Sequence, residues 1–259
     1  MKIATWNVNG IRARKDEVAD FVAREQPDVL CLQEIKAAVD HIPKPVSELD
    51  GYWCYWHGTK GYSGVGLHVR KTLAFDRPIY LHPDFDHETR IAAIRLDGLL
   101  VASIYVPNGG KDFAAKVRFL KAMTAYAAGL RVTGNSVVLC GDLNIAREPR
   151  DVHPSERNER AVGQLPAERG MFERMLDGGG LHDVGRELDP DNDALFTWWA
   201  PWRNLRQRNI GWRLDYLLAS GDLAARAASC VSMREFGTSD HAPVVATFRA
   251  HAAGAGRAP

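Results

Sequence analysis

Polar residues that can bind metals or move protons stand at the ends of six short apolar segments of the sequence. Four segments are followed by such residues, and two are preceded by them. The residues that follow a segment are Asn7 and Asn9 after KIAT, Glu34 after VLCL, Tyr105 and Asn108 at the end of ASIYV, and Asp142 and Asn144 after VVLC. Those that precede a segment are Asp215 before YLLA, and Asp240 and His241 before APVVATF.

Each of these residues has an ordinary structural explanation when it is taken alone. A Gly-Asp pair before Asn is typical of a turn, Glu34 suits a solvated loop or a helix cap, and a His beside an Asp often forms a structural hydrogen bond. Tyr105 alone suits a core position. Turn chemistry does not bring Glu, Tyr and His to the same strand ends as Asp and Asn, so the set as a whole predicts one functional site.

The donor types in this set favour Mg²⁺ over zinc. The carboxylate of Glu34 suits a hard cation that keeps several waters and binds substrate phosphate. The four cysteines have no metal-type spacing, and we interpret them as reduced packing residues. They are Cys31, Cys54, Cys140 and Cys230.

The same residues predict hydrolysis of a phosphodiester. Asp142 is suited to accept a proton from an attacking water, while Asn144 and Asn7 hold that water and a phosphate oxygen. His241 would stabilise charge on the phosphoryl group. Asp215 is the natural partner to orient it.

Interleaved strand and helix patterns predict an α/β fold with mixed sheets. The predicted strands are KIAT, VLCL, YSGVGLHV, RIAAIRL, LLVASIYV, VVLC, RLDYLLA and APVVATF. Helices are predicted near residues 14–25, 112–130 and 168–177, and Asp97-Gly98 is a hairpin turn. If the last two strands run antiparallel to the four that end in polar residues, all six polar ends meet at one rim.

Composition excludes some classes of protein. The chain has 259 residues, of which 46% are hydrophobic and 25% charged, and its formal net charge is +1. Because this charge is near zero, an anionic partner must be met by a local basic patch or a metal. The sequence does not start like a signal peptide, and it has no run near the roughly 18 apolar residues needed to span a bilayer. These features predict a cytoplasmic protein without membrane contact.

The chain shows no linker, fixed repeat or composition shift before its end. We therefore expect a single domain over residues 1–250, followed by a disordered tail, HAAGAGRAP, at residues 251–259. A monomer is the default expectation.

Seven motifs in a consistent order resemble those of the exonuclease III type of abasic-site endonucleases, in the endonuclease/exonuclease/phosphatase superfamily that includes DNase I. They are WNVNGIRA, LQEIK, GYSGV, YVPNGG, GDLNIA, GWRLDY and TSDHAPV. The resemblance covers residues 1 to about 248. It implies a four-layer α/β sandwich of two mixed sheets with helices outside, and hydrolysis of the phosphodiester 5′ to an abasic site in double-stranded DNA.

The resemblance also implies roles for individual residues. Residues matching Glu34 bind Mg²⁺, for which Mn²⁺ can substitute, and Asp240 assists a metal. Matches to Asp142 and Asn144 activate and hold the water, and matches to Asp215 and His241 form an Asp-His pair. Matches to Asn7, Tyr105 and Asn108 contact the scissile phosphate or tune the site. Related activities on blocked 3′ ends, as 3′→5′ exonuclease and 3′-phosphatase, are expected too.

A tryptophan- and arginine-rich segment, TWWAPWRNLRQRNIGWR, suits a loop that follows a nucleic-acid backbone. Its arginines are Arg203, Arg206, Arg208 and Arg213. A core cluster is an equal alternative for Trp199. The resemblance places Trp198 and Trp212 in the wall of an abasic-sugar pocket. Trp202 and Lys111 stand at positions where relatives have residues that enter the duplex at the lesion. Arg12, Lys60 and Arg147 are candidate phosphate contacts.

Two departures from the motif series bear on the site. Glu88-Thr89-Arg90 stands where an acid-Gly-Arg triplet is usual, and Asn9 stands where some relatives carry an aspartate metal ligand. Two alternatives also stay open: a hydrolase of small phosphoesters on the same fold, and a catalytically silent nucleic-acid-binding regulator.

Overall fold

Residues 1–250 of the computed structural model form two six-stranded sheets flanked by helices. In spatial order, sheet A contains β11 (Ala227–Ser232), β12 (Val244–Phe248), β1 (Lys2–Asn7), β2 (Val29–Gln33), β4 (Val65–Arg70) and β3 (Tyr52–His57). Sheet B contains β5 (Ile79–Leu81), β6 (Ile91–Leu96), β7 (Leu99–Tyr105), β8 (Ser136–Asp142), β10 (Asp215–Ser220) and β9 (Leu181–Asp183). The predicted tail at 251–259 lies outside the described residues.

Six α-helices lie within the described residues. They are α1 (Ile11–Glu25), α2 (Lys44–Ser47), α3 (Phe113–Arg131), α4 (Pro166–Gly179), α5 (Val184–Leu188) and α6 (Gly221–Ala224). The Asp112 side chain caps α3 by accepting a hydrogen bond from the Ala115 amide at 2.8 Å. Short 3-10 helices occur at Val39–His41, Pro149–Asp151 and Pro154–Glu156.

Three apolar layers hold the sheets and helices together. Alternate residues of the two sheets, such as Cys31 and Val138, pack between them. The other face of sheet A packs on Phe21 of α1, and the other face of sheet B packs on Met123 of α3 and Phe172 of α4. Strands buried on both faces explain the nearly continuous apolar runs of the sequence. The predicted four-layer α/β sandwich is confirmed.

Both sheets are mixed, as predicted. Strands β1 and β2 are parallel, and so are β7 and β8, whereas the other strand pairs are antiparallel. In particular, β12 is antiparallel to β1, and β10 is antiparallel to β8 with Asp215 opposite Asp142. The carboxyl ends of β1, β2, β7 and β8 and the amino ends of β10 and β12 therefore meet at one rim.

The predicted elements exist, but several boundaries differ. Helix α1 begins at Ile11 instead of near residue 14. Strand β4 begins at Val65 because Ser63 and Gly64 have φ of 56° and 86°, which interrupts an extended strand. Four strands were not predicted: β3 and β11, whose half-exposed residues blur the apolar alternation, and the three-residue β5 and β9.

Gly141 explains why a carboxylate can stand at the end of a buried strand. Its φ is 143°, and a Cβ at this position would lie 1.9 Å from the Ile104 carbonyl oxygen of the neighbouring strand. Only glycine fits such an approach. This close approach keeps β8 paired with its neighbours through Asp142, which stands opposite Tyr105 and Asp215 at the rim.

Candidate active site

Asn7 joins two carboxylates from different sheets. Its Nδ2 donates to Glu34 Oε2 at 2.9 Å and to Asp142 Oδ2 at 2.9 Å, and its Oδ1 accepts from the Asn9 amide at 3.0 Å. Asn7 is fully buried at the end of β1. Because each polar atom of its amide group has a partner, the orientation of this side chain is fixed.

A tight turn after β8 orients Asp142 and Asn144. The Asn144 amide donates to Asp142 Oδ1 at 2.9 Å, and Asn144 has φ of 51°. Asn144 Nδ2 donates to the Val106 carbonyl at 2.9 Å and to Asp142 Oδ2 at 3.2 Å. Asn144 Oδ1 accepts from Asn108 Nδ2 at 3.1 Å. The two asparagines and Asp142 thus form one hydrogen-bonded group at the end of sheet B.

His241 lies between two buried carboxylates. Its Nδ1 is 2.8 Å from Asp215 Oδ2, and its Nε2 is 3.8 Å from Asp142 Oδ2. The Thr197 hydroxyl accepts from the Asp215 amide at 3.0 Å, which positions the start of β10. The imidazole is therefore oriented by Asp215 and directed towards Asp142.

Burial and mutual charge shift the pKa values of these groups upward. Burial raises the pKa of Asp142 and the Asp215 charge adds to this, although His241 opposes it. Burial alone would lower the pKa of His241, but the Asp215 and Asp142 charges outweigh it and raise this pKa. Burial, with the charges of Glu34 and Asp142, also raises the pKa of Tyr105. At neutral pH the site therefore holds a cationic imidazole, a neutral phenol and a carboxylate of raised basicity.

The metal ligands predicted from the sequence lie around one lysine. Lys36 Nζ is 2.9 Å from Glu34 Oε1 and 2.6 Å from Asn9 Oδ1, while Asn9 Nδ2 donates to Asp240 Oδ1 at 2.7 Å. Sequence reasoning missed Lys36, although it lies two residues after Glu34. The three predicted ligands are brought together, and Lys36 partly balances their charge.

The donors fit a divalent metal. Asp142, Asp215 and His241 each offer an atom within 4.8 Å of the others, so this cluster could hold a metal ion. Asp215 Oδ1 is buried and has no hydrogen-bond partner among residues 1–250, which is costly for a carboxylate oxygen. This cluster differs from the predicted set of Glu34, Asn9 and Asp240. Both sets supply mainly oxygen donors, which favours a hard cation over zinc.

Two tryptophans form a wall above these polar groups. The rings of Trp198 and Trp212 meet edge to face at a centroid distance of 5.6 Å, and Trp198 Nε1 donates to Asp240 Oδ2 at 3.0 Å. With the catalytic candidates they enclose a cavity of about 380 Å³. Its lining comprises Glu34, Tyr105, Asn108, Asp142, Asn144, Val162, Gly163, Trp198, Trp212, Leu214, Asp240 and His241. Most of the predicted site residues therefore share one cavity.

The predicted DNA contacts divide into exposed and buried residues. Trp202, Lys111, Arg12 and Lys60 are exposed, and Trp202 has 60% of its surface accessible. Trp199 is only 1% exposed and belongs to a core cluster with Phe196 and Leu205. The core alternative is therefore the right one for Trp199.

Three arginines that the sequence suggested as backbone contacts are occupied within the protein. Arg147 Nε is 2.7 Å from Glu173, and the same guanidinium lies 3.3 Å from Asp183. Arg213 is 4% exposed and pairs with Asp183. Arg206 donates to the carbonyls of residues 234, 236 and 239. The donors of these three guanidinium groups are therefore engaged within the protein, and their contact with a nucleic-acid backbone stays a prediction.

Arg90 is a further residue of the site that sequence reasoning did not assign. It is 2% exposed, lies 4.8 Å from the Tyr105 ring centroid and 5.4 Å from that of Tyr62, and donates to the Tyr62 hydroxyl at 2.8 Å. Thr89, which replaces the usual glycine before it, has φ of 54°. A β-branched residue therefore adopts a left-handed conformation that glycine takes at lower cost.

Comparison with known proteins places this site in a family. The model of the endonuclease/exonuclease/phosphatase family matches residues 4–241. Recombination repair protein 1 of Drosophila melanogaster is 33% identical over 96% of this chain, which spans 37% of that protein's length. DNA repair nuclease APEX1 of Danio rerio is 34% identical over 94% of this chain and 81% of its own length. Exodeoxyribonuclease III of Haemophilus influenzae is 32% identical over 96% of this chain and 100% of its own length.

Solved structures give the same result. A 3′-5′ exonuclease from Neisseria meningitidis superposes with a TM-score of 0.87 and 31% identity, covering 96% of this chain and 99% of its own. An AP endonuclease from Archaeoglobus fulgidus has a TM-score of 0.86 and 29% identity, covering 96% of this chain and 100% of its own. The protein therefore belongs to the endonuclease/exonuclease/phosphatase family and is an enzyme of its exodeoxyribonuclease III type.

Proposed function

We propose that this DNA-repair nuclease hydrolyses the phosphodiester on the 5′ side of an abasic site in double-stranded DNA, and removes blocking groups and nucleotides from 3′ ends. One observation carries the proposal: Asp142, Asn144, His241 and Glu34 line one cavity below Trp198 and Trp212, with Asp215 bonded to His241 and Asn7 bonded to Glu34. Relatives named as DNA repair and abasic-site nucleases support it.

Asp142 is the proposed proton acceptor for the attacking water. A buried carboxylate of raised pKa is a stronger base than a solvated one, and it is still ionised in part near neutral pH. Its Oδ1 is fixed by the Asn144 amide at 2.9 Å. Asn144 Oδ1 accepts from the water, while Asn7 fixes the carboxylate by donating to Asp142 Oδ2 at 2.9 Å. The water then attacks the phosphorus in line with the leaving 3′ oxygen.

His241 is the proposed electrostatic partner of the phosphoryl group. Its raised pKa keeps the imidazole protonated at neutral pH, and its Nδ1 contact with Asp215 at 2.8 Å leaves Nε2 for the cavity. Tyr105 keeps its proton and can donate to a phosphate oxygen, as can the amide of Asn108. These donors, fixed in position, thus stabilise the negative charge that develops on the phosphate.

Mg²⁺, with Mn²⁺ as a substitute, is the proposed cofactor, and Glu34, Asn9 and Asp240 would hold it. Bound there, it supplies charge neutralisation for the phosphate and the leaving oxygen. The four residues with negative side chains around the cavity, Glu34, Asp142, Asp215 and Asp240, face two cationic ones, Lys36 and His241. This excess of negative charge favours cation binding before an anionic substrate enters.

The proposed DNA contacts follow from exposure. Trp198 and Trp212 form one wall for the abasic sugar, which lacks a base and therefore fits the cavity of about 380 Å³ that these rings line. Trp202 and Lys111 would enter the duplex at the lesion, and Arg12 and Lys60 would contact phosphates.

We also propose that the protein acts as a monomer in the cytoplasm. The four cysteines are free thiols, which is usual in a reducing compartment. Within residues 1–250, no helix has the length and apolarity that a membrane crossing requires.

The test is cleavage of a labelled duplex that carries one abasic analogue, run beside the undamaged duplex. Incision immediately 5′ to the lesion, dependent on Mg²⁺ and lost both with EDTA and in Asp142→Asn, is the expected result. Binding to the abasic duplex without cleavage in Mg²⁺ would instead identify a silent binder. Hydrolysis of small phosphoesters without any action on DNA would identify the small-substrate alternative.

A further inference from the structure

A buried ion pair lies directly behind the active-site cavity. Lys116 on α3 and Glu168 on α4 contact each other, and neither side chain has any solvent exposure. Taking two charges out of water is costly, and apolar residues of similar size would often serve stability as well. Because desolvating the two charges is costly, we expect this pair to have a role beyond packing.

The Lys116 ammonium binds the backbone of both catalytic asparagines. Its Nζ donates to the Asn108 carbonyl at 3.1 Å and to the Asn144 carbonyl at 2.7 Å. These two residues are also linked by their side chains, since Asn108 Nδ2 donates to Asn144 Oδ1 at 3.1 Å. Gly109 makes room for the lysine, because a Cβ there would lie 2.7 Å from Lys116 Cδ. The ammonium thus sets the spacing between the ends of β7 and β8.

Glu168 extends this connection to a third segment of the cavity wall. Its Oε2 accepts from the Gly163 amide at 2.7 Å and from the Leu165 amide at 3.1 Å, while Oε1 contacts Lys116. The Gly163 carbonyl in turn accepts from the Ala146 amide at 2.7 Å. Gly163 lines the cavity. Burial lowers the pKa of Lys116, and the adjacent Glu168 charge opposes this by favouring the ammonium form.

We propose that Lys116 and Glu168 are positioning residues that hold the Asn108 loop, the Asp142–Asn144 turn and the Gly163 wall at the separation needed for attack on the phosphate. The proposal rests on the proposed nuclease function. It predicts loss of turnover with little change in substrate binding, because neither side chain reaches the cavity. Small displacements of reacting groups have large effects on rate.

The experiment compares Lys116→Met with the double variant Lys116→Met/Glu168→Gln. The single variant leaves the Glu168 charge buried without its partner, so its melting temperature falls. The double variant removes both charges but keeps an acceptor for the Gly163 and Leu165 amides, so most of the stability returns. If the pair positions the site, kcat of the double variant stays lower by about 10- to 100-fold, with KM within about threefold of the parent.

A control and a second readout separate positioning from simple structural support. Arg186→Met breaks another buried pair, with Asp151, that does not line the cavity, and it should lower the melting temperature without this loss of kcat. Amide hydrogen exchange over residues 157–165 should become faster in the double variant. Recovery of kcat together with stability, or unchanged exchange, would overturn the proposal. A parent protein that fails to cut abasic DNA would overturn the proposed function instead, and the exchange comparison would still test the positioning.

Discussion

Two buried groups of charged residues differ in how completely their carboxylates are neutralised by cationic partners. The active-site cluster comprises Asp142, Asp215 and His241. The charge-balanced cluster comprises Asp151, Asp183, Arg147, Arg186 and Arg213, and the partly exposed Glu173 at its edge pairs with Arg147 and makes the charges equal. The carboxylates of both are almost fully buried. In the first, two carboxylates share one imidazole and Asp215 Oδ1 has no partner. In the second, each carboxylate contacts two arginines.

The difference appears in the pKa shifts of the two groups of carboxylates. Burial raises the pKa of Asp142, and Asp215 raises it further. Burial would also raise the pKa of Asp183, but the charges of Arg213 and Arg147 outweigh it and lower this pKa. Burial alone therefore does not distinguish a catalytic carboxylate from a structural one. The balance of charge around it does, since incompletely neutralised groups retain reactivity.

The largest expected effect is on turnover, in Asp142→Asn. Removing the proton acceptor should reduce kcat by about 10²- to 10⁴-fold, measured on the abasic duplex at saturating substrate. Stability should change little, by about 1–2 kcal/mol at most. The new amide group would face the Asn7 and Asn144 donors, but a buried charge is removed at the same time. Substantial turnover in this variant would mean that another residue accepts the proton.

The matched change in the charge-balanced cluster, Asp183→Asn, should have the reverse effect. Arg213, which is 4% exposed, would lose its main partner. Breaking one side of a buried ion pair typically costs about 3–5 kcal/mol. We expect a drop of that size in the free energy of unfolding by chemical denaturation, with kcat retained at temperatures where the variant is folded. Equal effects of both substitutions on kcat would remove the distinction between the clusters.

The sequence predicted the active-site cluster better than the charge-balanced one. Asp142, Asp215 and His241 stand at strand ends, and a rim where such ends meet follows from strand direction alone. Asp183 also ends a strand, but β9 has only three residues and its sequence, LHD, shows no alternation. Its partners Arg213 and Arg147 lie 30 and 36 residues away along the chain. Pairing at such distances is set by packing, which local patterns do not encode.

The same reason bears on the predicted DNA contacts. Arg147 and Arg213 have the residue type and the neighbours of a phosphate-binding site, as Arg12 and Lys60 do. In the structure, Arg147 and Arg213 are paired with Asp183, whereas Arg12 and Lys60 are exposed. Lys116 is the converse case, because a lysine on a helix is expected in solvent, yet it is fully buried. Sequence patterns identify residue types at strand ends, whereas the neutralisation of a charge depends on the complete fold.

Asp215→Asn should shift the pH dependence of cleavage. In the proposed mechanism protonated His241 is the active form, so activity should be lost as pH rises through its raised pKa. The Asp215 charge is the main cause of that rise, and its removal should move the alkaline limb of the kcat/KM profile to lower pH. The profile of the residual activity in Asp215→Asn is the measurement, and Asp183→Asn, which changes a distant carboxylate, should leave the limb in place. An unmoved limb in Asp215→Asn would show that His241 does not set it.

The smallest expected effect concerns a third kind of buried group, one with neither balancing charge nor catalytic partner. His68 is fully buried beside Trp56, and neither ring nitrogen has a hydrogen-bond partner in the described part of the chain. Burial lowers its pKa from 6.5 to about 3. Below pH 6.5 the unfolded chain therefore binds a proton that the folded protein does not. Because of this group, the free energy of unfolding should decrease by about 1.4 kcal/mol for each unit by which the pH is lowered.

His68→Leu removes that term while keeping an apolar side chain of similar size. Chemical denaturation at pH 7.5 and pH 5 should show a smaller loss of stability for the variant than for the parent, by about 2 kcal/mol. Parallel losses would mean that His68 takes up its proton in the folded state. The expected difference would show that burial without charge acts only on stability, whereas in the active-site cluster burial together with unbalanced charge sets the basicity used in the reaction.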